Sequence, residues 1–207
     1  MGMGDDIFIV RREKLFDSDG SFQGFVAREQ RDFVSRISKH GEYLTRTPEL
    51  EKDSGIQQVI PYVWLVNPDS RKAFLYKRAG TGNEARLHHK FSGGVGGHID
   101  RKSIAAGEDP IESAMMRELQ EETVMCAYPK PRIVGFIKDD ADEVGSVHFG
   151  VVAIGETTEE VRPAEDMADG RFYSSSEIDA LFNNTENNVE GWTRISWQFI
   201  KDFLSRS

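Results

Sequence analysis

Three carboxylates fall within five residues in Arg117-Glu118-Leu119-Gln120-Glu121-Glu122, near the middle of a 207-residue chain. On a helix, Glu118 and Glu122 are four residues apart and share a face. Like charges at that spacing repel by about 0.2–0.5 kcal/mol per pair, so something should offset them, and a divalent cation is the natural candidate. Ile111 and Met115 lie on the same face, completing an i, i+4, i+7, i+11 stripe that Ala114 and Leu119 flank. The glutamates therefore continue an apolar stripe and should point toward the body of the fold. Carboxylates held there must be paired or bind metal, and a hard cation such as Mg2+ prefers oxygen ligands. The plainer alternative is a charged helix end with Arg117 paired to Glu121 at i+4.

The segment upstream favours the metal reading. Gly93-Gly94-Val95-Gly96-Gly97-His98-Ile99-Asp100 is a glycine-rich turn that lets backbone groups approach a ligand closely. Gly107-Glu108-Asp109-Pro110 follows, with Asp109 as N-cap, Pro110 at N1 and Glu112 at N3, a strong helix start. The order is thus glycine-rich loop, capped helix, inward carboxylates.

This order resembles the Nudix hydrolase superfamily, typified by MutT. That family's box is Gly, five residues, Glu, seven residues, then Arg-Glu-aliphatic-x-Glu-Glu-x-Gly-aliphatic. Arg117, Glu118, Leu119, Glu121 and Glu122 fit its second half directly. Counting back from Arg117 places Asp109 where the family has Glu, with Glu108 one step early; either takes the first box-glutamate role. Gly97 best matches the first box Gly, with about half a dozen residues inserted around Arg101-Lys102-Ser103-Ile104. Val124 stands in place of the closing Gly. Gln57-Gln58-Val59-Ile60-Pro61-Tyr62, Gly82 to His98 and Val144 to Gly150 look like a subgroup of MutT-family phosphoesterases.

The resemblance implies an α+β fold, a Nudix-type α/β/α sandwich with a mixed sheet. An N-terminal extension over 1–55 would pack on a Nudix hydrolase domain over 56–207. It implies a Mg2+- or Mn2+-dependent pyrophosphohydrolase cleaving a nucleoside diphosphate linked to another moiety. Glu118 and Glu122 would ligate metal, Glu121 would serve as ligand or base, and the Gly96 carbonyl would be another ligand. Arg117 would orient the carboxylates. A further carboxylate would come from Glu165 or Asp166, ahead of Arg171-Phe172-Tyr173; Asp139, Asp140, Asp142 and Glu143 are the rival source. Arg78, Arg86 and Lys90, from the basic cluster Lys77 to Lys90, would contact the substrate's distal phosphate or second moiety. The alternative function is a catalytically weak or inactive nucleotide-binding sensor on the same fold. The complete Glu118/Glu121/Glu122 set argues against it, because such sensors usually lose those residues. A third reading is an isomerase on the same fold, but the sequence shows no paired catalytic Cys and Glu for it.

Other residues read as structural. His88, His89 and His98 have no zinc-ligand spacing and no Cys partners. His148 alternates within an apolar strand as a core histidine. The glycine-rich segment is not a P-loop, since no Gly-Lys-Ser/Thr follows. Trp192, Trp197, Phe199 and Phe203 read as core.

The elements that must position these groups are legible in outline. Strands are expected near 7–10, 57–67, 73–78, 91–99, 132–138, 145–155 and 171–173. Helices are expected over 28–44, 110–123, 175–183 and 189–205. The stretches 45–56 and 156–170 read as loop and acidic linker, and Asn67-Pro68-Asp69-Ser70 as a turn.

Composition bounds the rest. The chain is 38% hydrophobic and 29% charged, enough for a core within one domain or a domain with an extension. A net charge of −9 argues against an extended nucleic-acid or acidic-membrane surface. The single Cys126 excludes an internal disulfide and suits a reducing compartment. Met1 to Asp6 carries no basic n-region, and no run reaches a membrane span. A cytoplasmic enzyme acting on a small nucleotide is expected, with a homodimer as a possible assembly.

Overall fold

The computed structural model describes residues 2–78, 90–164 and 167–206. In chain order the elements are β1 (Asp6–Arg11), α1 (Arg12–Phe16), β2 (Gly24–Ala27), α2 (Phe33–His40), β3 (Glu42–Thr45), β4 (Ile56–Asn67) and β5 (Lys72–Arg78). Next come β6 (Phe91–Ser92), β7 (Gly94–Val95), α3 (Pro110–Glu122), β8 (Thr123–Val124), β9 (Arg132–Lys138) and α4 (Glu143–Val147). The chain finishes with β10 (His148–Glu156), β11 (Arg162–Pro163), β12 (Met167–Ser174), α5 (Ser175–Asn183) and α6 (Gly191–Arg206). The class is α+β with a mixed sheet, as the sequence implied. No described helix is long and apolar enough to cross a membrane.

Contacts divide the chain into two compact units, with β4, α3, β9 and β10 contributing to both. The first holds Met1–Tyr62, Gly96–Met115 and Ile133–Ala153. Here β1 pairs antiparallel with β3 (Phe8 opposite Tyr43) and with the start of β4 (Val10 opposite Gln57). β2 pairs antiparallel with β9, Val26 facing Phe136. Ile7, Ile9, Leu50 and Ile56 form one buried cluster, joined by Leu44. Phe33 meets Phe16, Phe136 and Phe149 edge-on, at centroid distances of 5.9, 5.1 and 5.2 Å. Such pairs add about 0.5–1.5 kcal/mol each beyond their burial.

The second unit holds Val63–Val95, Met116–Arg132 and Ile154–Ser207. β5 pairs antiparallel with the end of β4, with β6 and with β12; Phe172 faces Phe74. β7 pairs with β4, and β11 pairs with β8. Trp64 stacks on Trp197 at 5.9 Å, and its indole N–H donates to Ser196 Oγ at 3.0 Å. Trp197 is buried, so it is core, as expected.

Several boundaries differ from the sequence reading. The helix over 28–44 is in fact α2 followed by β3. Phe33 and Ile37 are buried at i and i+4, but Gly41 is extended and Glu42–Thr45 pairs with β1. The strand expected from 145 begins at His148, because Asp142 caps α4 through its carboxylate and the Gly145 N–H. The acidic linker over 156–170 contains β11 and the start of β12. The short α1, β2 and β8 had no counterpart in the sequence reading.

Candidate active site

Helix α3 starts where the sequence placed it. Asp109 Oδ1 accepts from the N–H groups of Ile111 and Glu112, both at 2.9 Å. This caps two of the orphan donors of the first turn. Glu108 instead accepts from Ser113 Oγ at 2.7 Å. Of the two candidates for the first box glutamate, Asp109 is therefore engaged as a cap and Glu108 lies beside the first turn.

The expected stripe is present along the helix. Ile111, Ala114, Met115 and Leu119 are buried, and Glu118 is only 6% exposed. Glu122 is half-buried with its Oε2 shielded from solvent, and Glu121 is exposed. Arg117 supplies the compensating charge. Its guanidinium contacts Glu118 Oε1 at 2.7 Å and Glu121 Oε2 at 2.8 Å. The i,i+4 pair that the plainer reading expected thus exists, together with a second pair to a nearly buried carboxylate. The Glu118 pair is the stronger, because few waters screen it.

This donor set fits a hard divalent cation: three carboxylates on one stretch of helix, oxygen only, one of them nearly buried. Among the described residues, no three His, Cys, Asp or Glu side chains converge on one point. Arg117 holds the oxygens of Glu118 and Glu121, so a cation at these groups competes with that guanidinium.

The end of α3 is fastened to the segment that precedes the expected fourth carboxylate. Thr123 Oγ1 donates to the Leu119 carbonyl, and the Ala164 N–H donates to the Glu122 carbonyl at 3.0 Å. β11 pairs with β8 beside it, Arg162 facing Val124. Glu165 and Asp166 come directly after Ala164 and lie outside the described residues, as does Arg86. Arg78 ends β5, its backbone opposite Met167. Lys90 is half-buried just before β6. Sequence reasoning missed the Ala164 anchor, since a two-residue strand carries no periodic signal.

Three of the four rival acids of the first unit, Asp139, Asp140 and Asp142, are engaged in local structure. Lys138 is fully buried, and its ammonium donates to the carbonyls of Gly145, Ser146 and His148 while pairing with Asp140 at 2.5 Å. Burial lowers the Lys138 pKa. For Asp140, burial alone acts upward, but hydrogen bonds from Lys138 and Arg12 hold its carboxyl below the usual range. Asp142 caps α4, and Asp139 accepts from the Ala141 N–H.

In the glycine-rich segment two positions exclude a side chain by contact. A Cβ on Gly96 would lie 1.8 Å from the Pro61 carbonyl oxygen, and one on Gly93 would lie 2.1 Å from the Trp64 ring. Gly96 is the position whose carbonyl the resemblance makes a metal donor. The inserted residues after Asp100 form an exposed 3-10 turn, Arg101–Ser103. Lys102 pairs with Asp5 at 2.7 Å, and Arg101 lies over the Tyr43 ring.

The glutamate-bearing helix thus stands in an α+β fold with a mixed sheet, and comparison with known proteins bears on the family and the fold. The profile of the NUDIX domain matches residues 57–195. The chain belongs to the Nudix family, as a hydrolase acting on phosphoric anhydrides. Protein YmaB of Bacillus subtilis (strain 168) is 31% identical over 215 residues, covering 99% of this chain and 100% of the relative. The crystal structure of Tm1382 superposes with a TM-score of 0.77 at 24% identity, over 96% of this chain and 100% of that one. A bifunctional NMN adenylyltransferase/ADP ribose pyrophosphatase from Francisella tularensis, solved with AMP and a Mn ion, gives 0.50 at 15% identity, over 72% of this chain and 42% of that one. At these identities the two structures share the fold with this chain.

Proposed function

We propose that this Nudix hydrolase is a Mg2+- or Mn2+-dependent pyrophosphohydrolase that cleaves a nucleoside diphosphate linked to another moiety. The observation that carries the reading is the nearly buried Glu118 carboxylate, bridged with Glu121 by Arg117 on the helix that also bears Glu122. Glu118 and Glu122 hold the cation, and exposed Glu121 is a further ligand or takes the proton of the attacking water. Bound there, the cation supplies charge neutralisation on the phosphate oxygens and a water of lowered pKa. Arg117 keeps the carboxylates oriented, so less ordering remains to be done when substrate arrives. Lys90 and Arg78 neutralise the distal phosphate or contact the second moiety. Glu165 or Asp166 supplies a further carboxylate next to the anchored Ala164. The lone Cys126, exposed and in no disulfide, supports a cytoplasmic setting.

The test is a panel of nucleoside diphosphate sugars, dinucleoside polyphosphates and nucleoside triphosphates, incubated with Mg2+ or Mn2+ and analysed for nucleoside monophosphate or phosphate. Cation-dependent release from one class supports the proposal. Tight binding with no product from any of them would instead indicate a nucleotide sensor.

A further inference from the structure

A second group of donors lies within the first unit. His148, the first residue of β10, is 7% exposed, and its Nδ1 stands 2.6 Å from the Val144 carbonyl oxygen. A carbonyl only accepts, so Nδ1 carries a proton, and in the neutral ring Nε2 presents its lone pair. That Nε2 lies 3.2 Å from Nε2 of His98, with the rings 5.3 Å apart at 60°. Nε2 of His98 is also 2.6 Å from Oε1 of the fully buried Gln58. The Gln58 amide is held in that sense, because its Nε2 donates to Glu51 Oε1 at 3.3 Å and Arg46 Nε grips the same oxygen at 2.7 Å. Arg46 and Glu51 thus turn the oxygen end of Gln58 toward the imidazoles.

We propose that His98 and His148 ligate a divalent transition-metal cation through their Nε2 atoms, with Gln58 Oε1 as a weaker oxygen donor. The spacing between the two nitrogens fits. Tetrahedral zinc with Zn–N of about 2.0–2.1 Å places two ligand nitrogens about 3.3–3.4 Å apart, against 3.2 Å here. Gln58 Oε1, at hydrogen-bond distance from His98 Nε2 (2.6 Å), has to draw back to become a ligand. The surroundings fit as well. Metal-bound histidines characteristically donate the other ring N–H to a backbone carbonyl or carboxylate, and the His148–Val144 bond is such a contact. Imidazole donors select Zn2+, Ni2+ or Cu2+ over Mg2+, which demands oxygen. The donor set is therefore chemically distinct from the glutamates of α3. With two imidazoles and one neutral oxygen, the site is weaker than a four-ligand structural zinc centre and leaves a position to water. Its effect is to clamp the segment after Gly97 onto β4 and β10. Without metal, His98 Nε2 carries a proton and donates it to Gln58 Oε1 and toward His148 Nε2; ligation moves that proton to Nδ1 of His98, so the experiment must separate the two states.

Imidazole nitrogen resonances read the ligands directly. The intact 15N-labelled protein is titrated with Zn2+ in excess Mg2+, with H98Q and H148Q used for assignment. Nε2 of both His98 and His148 should shift on saturation while Nδ1 of His148 stays protonated. Calorimetry with Zn2+ should show a site whose affinity falls by more than about tenfold in H98Q and in H148Q, and which persists in the H88Q/H89Q double variant. Unmoved Nε2 resonances in the wild-type protein, or binding lost only in the His88/His89 variant, overturn the proposal and leave an inter-ring hydrogen bond. The wild-type titration decides the matter even if H148Q fails to fold. The excess Mg2+ keeps the result independent of the glutamate site.

Discussion

The backbone N–H of Ala164 donates to the carbonyl of Glu122 at 3.0 Å, so the last residue of the box helix is tied to the chain one step before Glu165. Ala164, which precedes Glu165 in the sequence, is thereby fixed at the end of that helix.

This relationship ranks the two acidic segments. Alanine at Glu165 and Asp166 together should lower kcat strongly while leaving the melting temperature nearly unchanged. Alanine at Asp139 and Asp140 should do the opposite. It deprives buried Lys138 of its carboxylate, at a cost of about 1–3 kcal/mol of stability, and should spare kcat in the folded fraction. Steady-state kinetics beside thermal melts on both double variants make the comparison. The reverse ranking would move the ligand or base role to the earlier loop.

The inserted turn should matter for substrate more than for stability. Its ties, Lys102 to Asp5 and Arg101 over Tyr43, are surface contacts, which water and salt weaken. Closing a shorter loop costs little. Deleting 101–105 should leave a cooperative melt close to the wild type while KM or substrate preference changes. A collapsed fold in circular dichroism would show that the segment belongs to the core.

Helix α5 carries a pH signature. Glu177 accepts from the Ser174 N–H and hydroxyl and from Arg171, and these bonds hold its pKa down to about 2, from an ordinary 4.5. A depressed carboxyl stabilises the folded state fully above its unfolded value and loses that contribution as pH falls toward its folded value. The melting-temperature gap between wild type and Glu177→Gln should therefore be constant above about pH 5 and close between about pH 4.5 and 2. A gap that does not narrow in that range would show that the charge of Glu177 is irrelevant to the cap.

Much of this was readable from the chain because it is local. The Asp109-Pro110 start, the Ile111–Met115–Glu118 stripe and the Arg117–Glu121 pair depend on residues within a few turns, and all appear. Features set by distant partners were not readable. Phe33, Ile37 and Leu44 share a helical period, yet Leu44 sits in β3 because pairing with β1 outweighs local propensity. β2 exists through β9, and β11 through β8. Arg117 bridges a second glutamate because Glu118 is nearly buried and needs a charge partner, which spacing alone does not reveal. His98 and His148 meet across 50 residues of sequence, with no repeat or motif to announce it.

The most direct test of the account is Glu122→Gln, assayed with the best substrate of the panel in saturating Mg2+ or Mn2+. The change removes one ligand charge at nearly constant volume. The account predicts an unaltered fold and melting temperature with turnover below about a tenth of wild type, a loss of at least about 1.4 kcal/mol in transition-state stabilisation. A folded Glu122→Gln enzyme that keeps more than about a tenth of wild-type kcat would contradict the assignment of the α3 carboxylates to the metal.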